Sequence, residues 1–137
     1  MPRRSLSSVE ESYHGERVRV FRLNRASILS ALRERARALV ASCPEVLEVR
    51  LFGSLARGGG APGSDADLWV LMKDGAPPFL ERVGQVARHF EGVGVGCDII
   101  AHTESEWEQL RRARRRIVDV VLAEGIELAS RRQRAGR

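Results

Sequence analysis

The sequence predicts an α+β domain: a small mixed sheet with helices packed on it. Three observations carry that prediction. Short apolar runs of strand length interleave with longer stretches of helical period. Gly- and Pro-rich joints separate them. The 137 residues are 43% apolar and 30% charged, the composition of one ordinary globular domain with a real core. Helices interleaved with three strands give a layered sheet that need not be purely parallel. No internal repeat is present.

Residues 1–22 are polar and mixed, read as a partly flexible N-terminal extension; Val18, Val20 and, just past it, Leu23 could form a short strand. Asn24 reads as a helix N-cap. Ile28, Leu29, Leu32, Ala36, Leu39 and Val40 follow at helical spacing, with Arg33, Arg35 and Arg37 mostly off the stripe. Cys43-Pro44 ends that helix. Val46 to Phe52 reads as a strand with Leu47, Val49 and Leu51 on one face. After a glycine turn, Ser54 to Arg57 begins a short helix, and Gly58 to Gly63 is a connection. Asp65 to Met72 is the second strand. Pro77-Pro78 opens a helix whose expected buried stripe is Phe79, Leu80, Val83, Val86, Ala87 and Phe90; Gly92 and Gly94 stop it. Val95 to Ala101 is the third strand. Thr103, with Glu106 as capping-box partner, starts one long final helix lined by Trp107, Leu110, Ile117, Val121 and Leu122. Gly125 ends it, and Ile126 to Ala129 suits a short edge strand. The expected domain spans residues 23–129, followed by a basic tail at 130–137.

No apolar run approaches the length of a membrane span, and the start, Met1-Pro2-Arg3-Arg4-Ser5, has no apolar signal core. A cytoplasmic protein with no membrane partner is expected. Cys43 and Cys97 have no metal-ligand spacing and read as reduced, packing cysteines. The net charge of +5 invites a nucleic-acid partner, but six arginines sit at the two ends. Without them the body holds 17 basic and 18 acidic residues, which disfavours that partner. Basicity inside the body is concentrated in Arg111, Arg112, Arg114, Arg115 and Arg116. On one continuous helix Arg111, Arg114 and Arg115 would share a face, either solvated or set against a partner's acidic surface or an RNA backbone.

The stretch that carries chemistry is Leu51-Phe52-Gly53-Ser54-Leu55-Ala56-Arg57-Gly58, followed after a Gly/Pro-rich joint by Ser64-Asp65-Ala66-Asp67-Leu68-Trp69. Strand alternation puts Asp65 and Asp67 on one face. Adjacent carboxylates repel, so they tend to share a proton or a cation, and hard oxygens beside a substrate phosphate suit Mg²⁺. Gly53 and Ser54 let backbone N–H groups approach a phosphate. Asp98 lies in an otherwise apolar strand, where a lone acid is costly unless paired. The three carboxylates are expected to meet in space. Arg57, one helical turn past Ser54, can neutralise phosphate charge or stand as an exposed helix arginine. Ser64 can orient the turn before the acids. Trp69 can stack a base or pack between sheet and helix. His14, His89 and His102 have no ligand spacing.

Gly53-Ser54, Asp65-x-Asp67 and Asp98 together resemble the motif of the DNA polymerase β-like nucleotidyltransferases. Within that superfamily the chain looks like the minimal nucleotidyltransferases, which pair with HEPN-domain partners as toxin–antitoxin modules. The resemblance covers residues 23–128. It implies the short palm of that superfamily and two Mg²⁺ ions, Mn²⁺ being a substitute, held by Asp65, Asp67 and Asp98. It implies an ATP site at Gly53, Ser54, Arg57 and Ser64, and transfer of AMP to an acceptor hydroxyl, with pyrophosphate released. The acceptor it implies is a HEPN toxin. The alternatives are a stoichiometric antitoxin that masks such a partner, and a nucleotidyltransferase acting on an aminoglycoside-type small molecule. Relatives of that last type carry an added helical domain that this chain lacks.

Overall fold

The structure, a computed structural model, describes residues 14–58 and 65–131, with side chains from residue 25 onward. In chain order the elements are α1 (His14–Ser42), β1 (Val46–Phe52), α2 (Gly53–Arg57), β2 (Ala66–Met72), α3 (Phe79–His89), β3 (Cys97–Thr103), α4 (Glu104–Arg112), α5 (Arg116–Glu124) and β4 (Ile126–Ser130). The four strands form one sheet in the order β3-β2-β1-β4. β1 is antiparallel to both β2 and β4, and β2 is parallel to β3. The sheet is therefore mixed, with β4 at one edge as the sequence indicated.

Both faces of the sheet are covered, each by the apolar residues that alternation assigns to it. On one face Ala66, Leu68, Val70 and Met72 of β2 join Val49 and Leu51 of β1 and Ala101 of β3. Leu32, Ala36 and Leu39 of α1 and Val86 and Phe90 of α3 pack over them. On the other face Trp69 and Leu71 meet Leu47 and Val121, with Phe52, Ile100, Trp107 and Ile117 at the margin. This second face bears α4 and α5, and the functional carboxylates lie at one end of it.

Several sequence expectations change. The helix α1 already runs from His14, so Val18, Val20 and Leu23 form no strand and Asn24 lies inside a helix rather than capping one. Residues 1–13, 59–64 and 132–137 lie outside the described residues. Leu47 does not share a face with Val49 and Leu51. A register shift between Val46 and Glu48 sends it to the opposite side, against Trp69 and Val121. The final helix is two helices. Arg114 breaks it with φ 56, a left-handed conformation that no α-helix continues, so Arg111, Arg114 and Arg115 do not form one helical face. Leu122 is 55% exposed, as are Phe79 at 46% and Leu80 at 80%.

The inward position on the first turn of α3 goes to a charged residue, Arg82. It is buried because every face of its guanidinium finds an acceptor: Pro77 O at 2.6 Å, Ala101 O at 2.8 Å, and both oxygens of Glu106 at 2.9 and 3.0 Å. Glu106 is also the capping-box partner of Thr103, so one carboxylate starts α4 and ties α3 to it. Arg131 likewise joins the end of β4 to the first half of the fold, donating to Val46 O at 3.0 Å, Cys43 O at 3.1 Å and Val40 O. No described helix is long and apolar enough to cross a membrane.

Candidate active site

β1 ends at Phe52 and the chain turns at once into α2. Gly53 makes the turn at φ 80, a region that penalises a side chain. The short helix has no side-chain N-cap. At its carbonyl end Arg25 of α1 donates from Nε to Leu55 O at 3.0 Å and from Nη2 to Ala56 O at 3.3 Å. Gly58, at φ 81, closes the helix with a 3.3 Å bond to Leu55 O. Ser54 thus occupies the second position of a helix held in place from α1, and Arg57 its last.

Phe52 pairs with Asp67 across β1 and β2, which brings the Gly53 turn alongside the Asp67 carboxylate. A Cβ built on Gly53 would lie 3.1 Å from Asp67 Cγ and closer still to Oδ2. On the other side of β2, Asp67 is level with Asp98 in the parallel register. Level residues on neighbouring strands point to the same face, about 4.8 Å apart. Asp65, two residues before Asp67, shares that face and sits beside Gly96. Ala66 N donates to Gly96 O at 2.9 Å, and a Cβ on Gly96 would approach Asp65 Oδ1 to 2.8 Å. Two glycines therefore make room for two of the carboxylates.

Asp65 and Asp98 are exposed and Asp67 is half-buried. Burial of Asp67 holds its carboxyl above the ordinary value, and the charges of Asp98 and Asp65 push the same way, while Arg57 opposes them. Arg57 itself is paired with Glu124 at the end of α5, at 3.0 Å. Cys97 lies on the opposite face, where Ala66 faces it. Its thiol is pushed up to about 11, mainly by burial and then by Asp65 and Asp98, and it packs against the core.

Excess negative charge on one face, next to a glycine turn that can admit a phosphate, suits a hard divalent cation. Among the described residues no group of three or more His, Cys, Asp and Glu side chains is preassembled around a metal position. Asp67 and Asp98 stand level on neighbouring strands, and the charges of Asp98 and Asp65 both act on Asp67. Ser64 lies outside the described residues.

Comparison with known families decides what the constellation belongs to. The model of the nucleotidyltransferase domain family matches residues 29–135. The chain is a member of that family. A structure described as a candidate minimal nucleotidyltransferase is 31% identical to this nucleotidyltransferase domain, with a TM-score of 0.50, over 72% of this chain and 93% of that one. A candidate nucleotidyltransferase from Sulfolobus solfataricus has the same fold, at 23% identity and a TM-score of 0.58, over 79% and 85% of the two chains. A toxin–antitoxin structure with AMP-PNP aligns at 23% identity and a TM-score of 0.49, over 80% and 76%. No curated protein matches the sequence. The resemblance read from the Gly-Ser and Asp-x-Asp residues thus holds at the level of family and fold.

Three neighbours of the nucleotidyltransferase motif escaped the sequence reading. Gly96 had a signal, since a glycine at the mouth of a strand often marks a close approach. Arg25 and Glu124 had none, being remote in sequence from what they touch. Trp69 is only 2% exposed, with its ring 4.5 Å from that of Trp107 and its Nε1 donating to His102 Nδ1 at 3.1 Å. It packs, and is closed to a base. Burial lowers the His102 pKa, with Glu106 opposing and Arg82 assisting, which keeps the ring neutral as the acceptor of that bond.

Proposed function

We propose that this nucleotidyltransferase moves AMP from ATP to an acceptor hydroxyl on a HEPN-type protein partner, and so acts as an antitoxin. One observation carries the reading: Asp67 stands between the Gly53 turn on one side and Asp98 on the other, with Asp65 on the same face.

In this reading Gly53 and Ser54 receive the β- and γ-phosphates, the glycine by letting the backbone approach and the serine through its hydroxyl. Arg57 balances triphosphate charge. Asp65, Asp67 and Asp98 would hold Mg²⁺, which when bound neutralises the triphosphate and makes the acceptor hydroxyl more acidic. Asp98, exposed like Asp65 but carried on the neighbouring strand β3, accepts the acceptor's proton. The acceptor oxygen then forms its bond to the α-phosphorus as the bond to the β-phosphate oxygen breaks, and pyrophosphate leaves. Gly53, having no side chain, leaves the room that the Asp67 carboxylate occupies beside the turn.

The resemblance to the minimal nucleotidyltransferases supports the choice of partner. The test is to incubate the purified protein with a HEPN-type protein, ATP and Mg²⁺ and to weigh the partner by intact-mass spectrometry. Increments of one AMP that Asp67→Asn abolishes are the expected result. A partner bound and silenced at unchanged mass would replace catalysis by masking. AMP gained instead by an aminoglycoside would replace the protein acceptor by a small molecule.

A further inference from the structure

Arg57 and Glu124 are 67 residues apart in sequence, yet Arg57 Nη1 meets Glu124 Oε1 at 3.0 Å. Each belongs to an element with its own anchor. Arg57 ends α2, which Arg25 fastens to α1. Glu124 ends α5, and two residues later Ile126 pairs with Leu51 in the sheet. The sheet therefore sets where both side chains start.

The pair is 53% and 29% exposed, and a surface ion pair of that kind adds little to stability. Its effect lies in where it holds the guanidinium. Arginine has five N–H donors in a fixed fork. Glu124 takes one, and among the described residues the others have no partner. Arg57 makes no ion pair with Asp67, although it is near enough for its charge to act on that carboxylate. An arginine that turned onto a half-buried aspartate would cover oxygens that a cation needs. Held by a third group, it loses less rotamer freedom when a second anion binds.

We propose that Glu124 is a positioning residue of the nucleotide site: it holds Arg57 off Asp67 by one N–H and presents the remaining guanidinium donors to the triphosphate. The inference rests on the reading of Gly53–Arg57 as the triphosphate seat.

Calorimetry with ATP and Mg²⁺ tests it on four proteins: wild type, Glu124→Gln, Arg57→Ala and the double variant. Glu124→Gln should weaken Mg–ATP binding by roughly three- to tenfold, an effect of the size expected when a preorganised contact is loosened. Arg57→Ala should weaken it at least as much. Adding Glu124→Gln to Arg57→Ala should then change nothing, because the two act through one contact. Glu124→Asp, which keeps the charge, should recover part of the loss, and it serves as the probe if Glu124→Gln does not fold. Unchanged or tighter binding by Glu124→Gln overturns the proposal, and so does an equal loss in the Arg57→Ala background. If the wild type binds no Mg–ATP, the triphosphate seat itself is refuted and this inference with it. If the wild type binds and only the Glu124 variants fail to differ, this inference alone falls.

Discussion

Gly53 is the only residue type that fits beside Asp67. Its φ of 80 and the 3.1 Å approach of a built Cβ to Asp67 Cγ act together: a side chain would be strained at Gly53 and would push the aspartate out of place. The strand-to-helix turn and the carboxylate are therefore one unit. Gly53→Ala should cost more than about 1 kcal/mol from the backbone conformation alone. It should also weaken Mg–ATP binding by at least about tenfold, through displacement of Asp67. Thermal melting and calorimetry on the same variant separate the two effects. Full binding by a destabilised Gly53→Ala would show that Asp67 tolerates displacement.

Asp67 sits where its charge is unwelcome to the fold. Its pKa is raised by burial and by Asp98 and Asp65, so the folded protein holds that proton more tightly than the unfolded chain does. Stability from this group is then greatest below the ordinary aspartate value and falls as pH rises through the raised one. Asp67→Asn, which cannot ionise, should melt higher than wild type at pH 7 in the absence of divalent cations. The gap should close below about pH 4, where an aspartate of ordinary pKa is protonated in the unfolded chain as well. Mg²⁺ should raise the melting temperature of wild type and leave Asp67→Asn unmoved. A residue that weakens the apo fold while serving a ligand is a familiar trade between stability and activity. An Asp67→Asn variant less stable than wild type at pH 7 would contradict this account.

Much of this geometry was legible in the sequence, and the exceptions have physical reasons. Alternation put Asp65 and Asp67 on one face, and the lone acid of an apolar strand pointed to Asp98. Turn chemistry marked Gly53. Leu47 defeated the same alternation because a bulge adds a residue that no period reveals. Arg114 broke a helix whose apolar stripe runs on through Ile117 and Val121, since a left-handed arginine has no sequence signature. Phe79 and Leu80 were assigned inward by hydrophobicity, but Arg82 holds the inward place through four acceptors from Pro77, Ala101 and Glu106. Tertiary partners of that sort, like Arg25 and Glu124, exist only once the chain has folded.

Arg82 and Glu106 give a test of the frame remote from the nucleotide seat. The Glu106 pKa is lowered, first by its hydrogen bonds from Arg82. Its contribution is therefore present above the ordinary carboxylate value and lost as pH falls through the lowered one. Glu106→Gln removes the charge while keeping a side chain that can still reach the cap, and should cost about 1 kcal/mol at pH 7, because water screens a Glu106 side chain that is 43% exposed. The difference from wild type should shrink towards pH 3. Mg–ATP affinity at a temperature where both are folded should not change. Chemical denaturation at the two pH values checks the first point, and a constant difference across them would exclude the charge as its source.

Arg25 and Arg35 provide a matched pair of variants. Both project from α1, and both donate to main-chain carbonyls at the C-terminal end of another helix. Arg25 bonds Leu55 O and Ala56 O of α2, whereas Arg35 bonds His89 O, on the last residue of α3, at 3.1 Å and Glu91 O just after it at 2.8 Å. Replacing either by methionine keeps most of the apolar stem and deletes two charge-assisted bonds. Each should lower stability by about 1–2 kcal/mol, since the carbonyls are partly open to water. Their functional consequences should diverge. Only Arg25→Met frees the helix that carries Ser54 and Arg57, so only it should weaken Mg–ATP binding, by several-fold. Arg35→Met, equally destabilised, should bind as wild type does at a temperature where both are folded. Equal losses of affinity in the two would mean that binding follows global stability, and that Arg25 has no particular hold on the nucleotide seat.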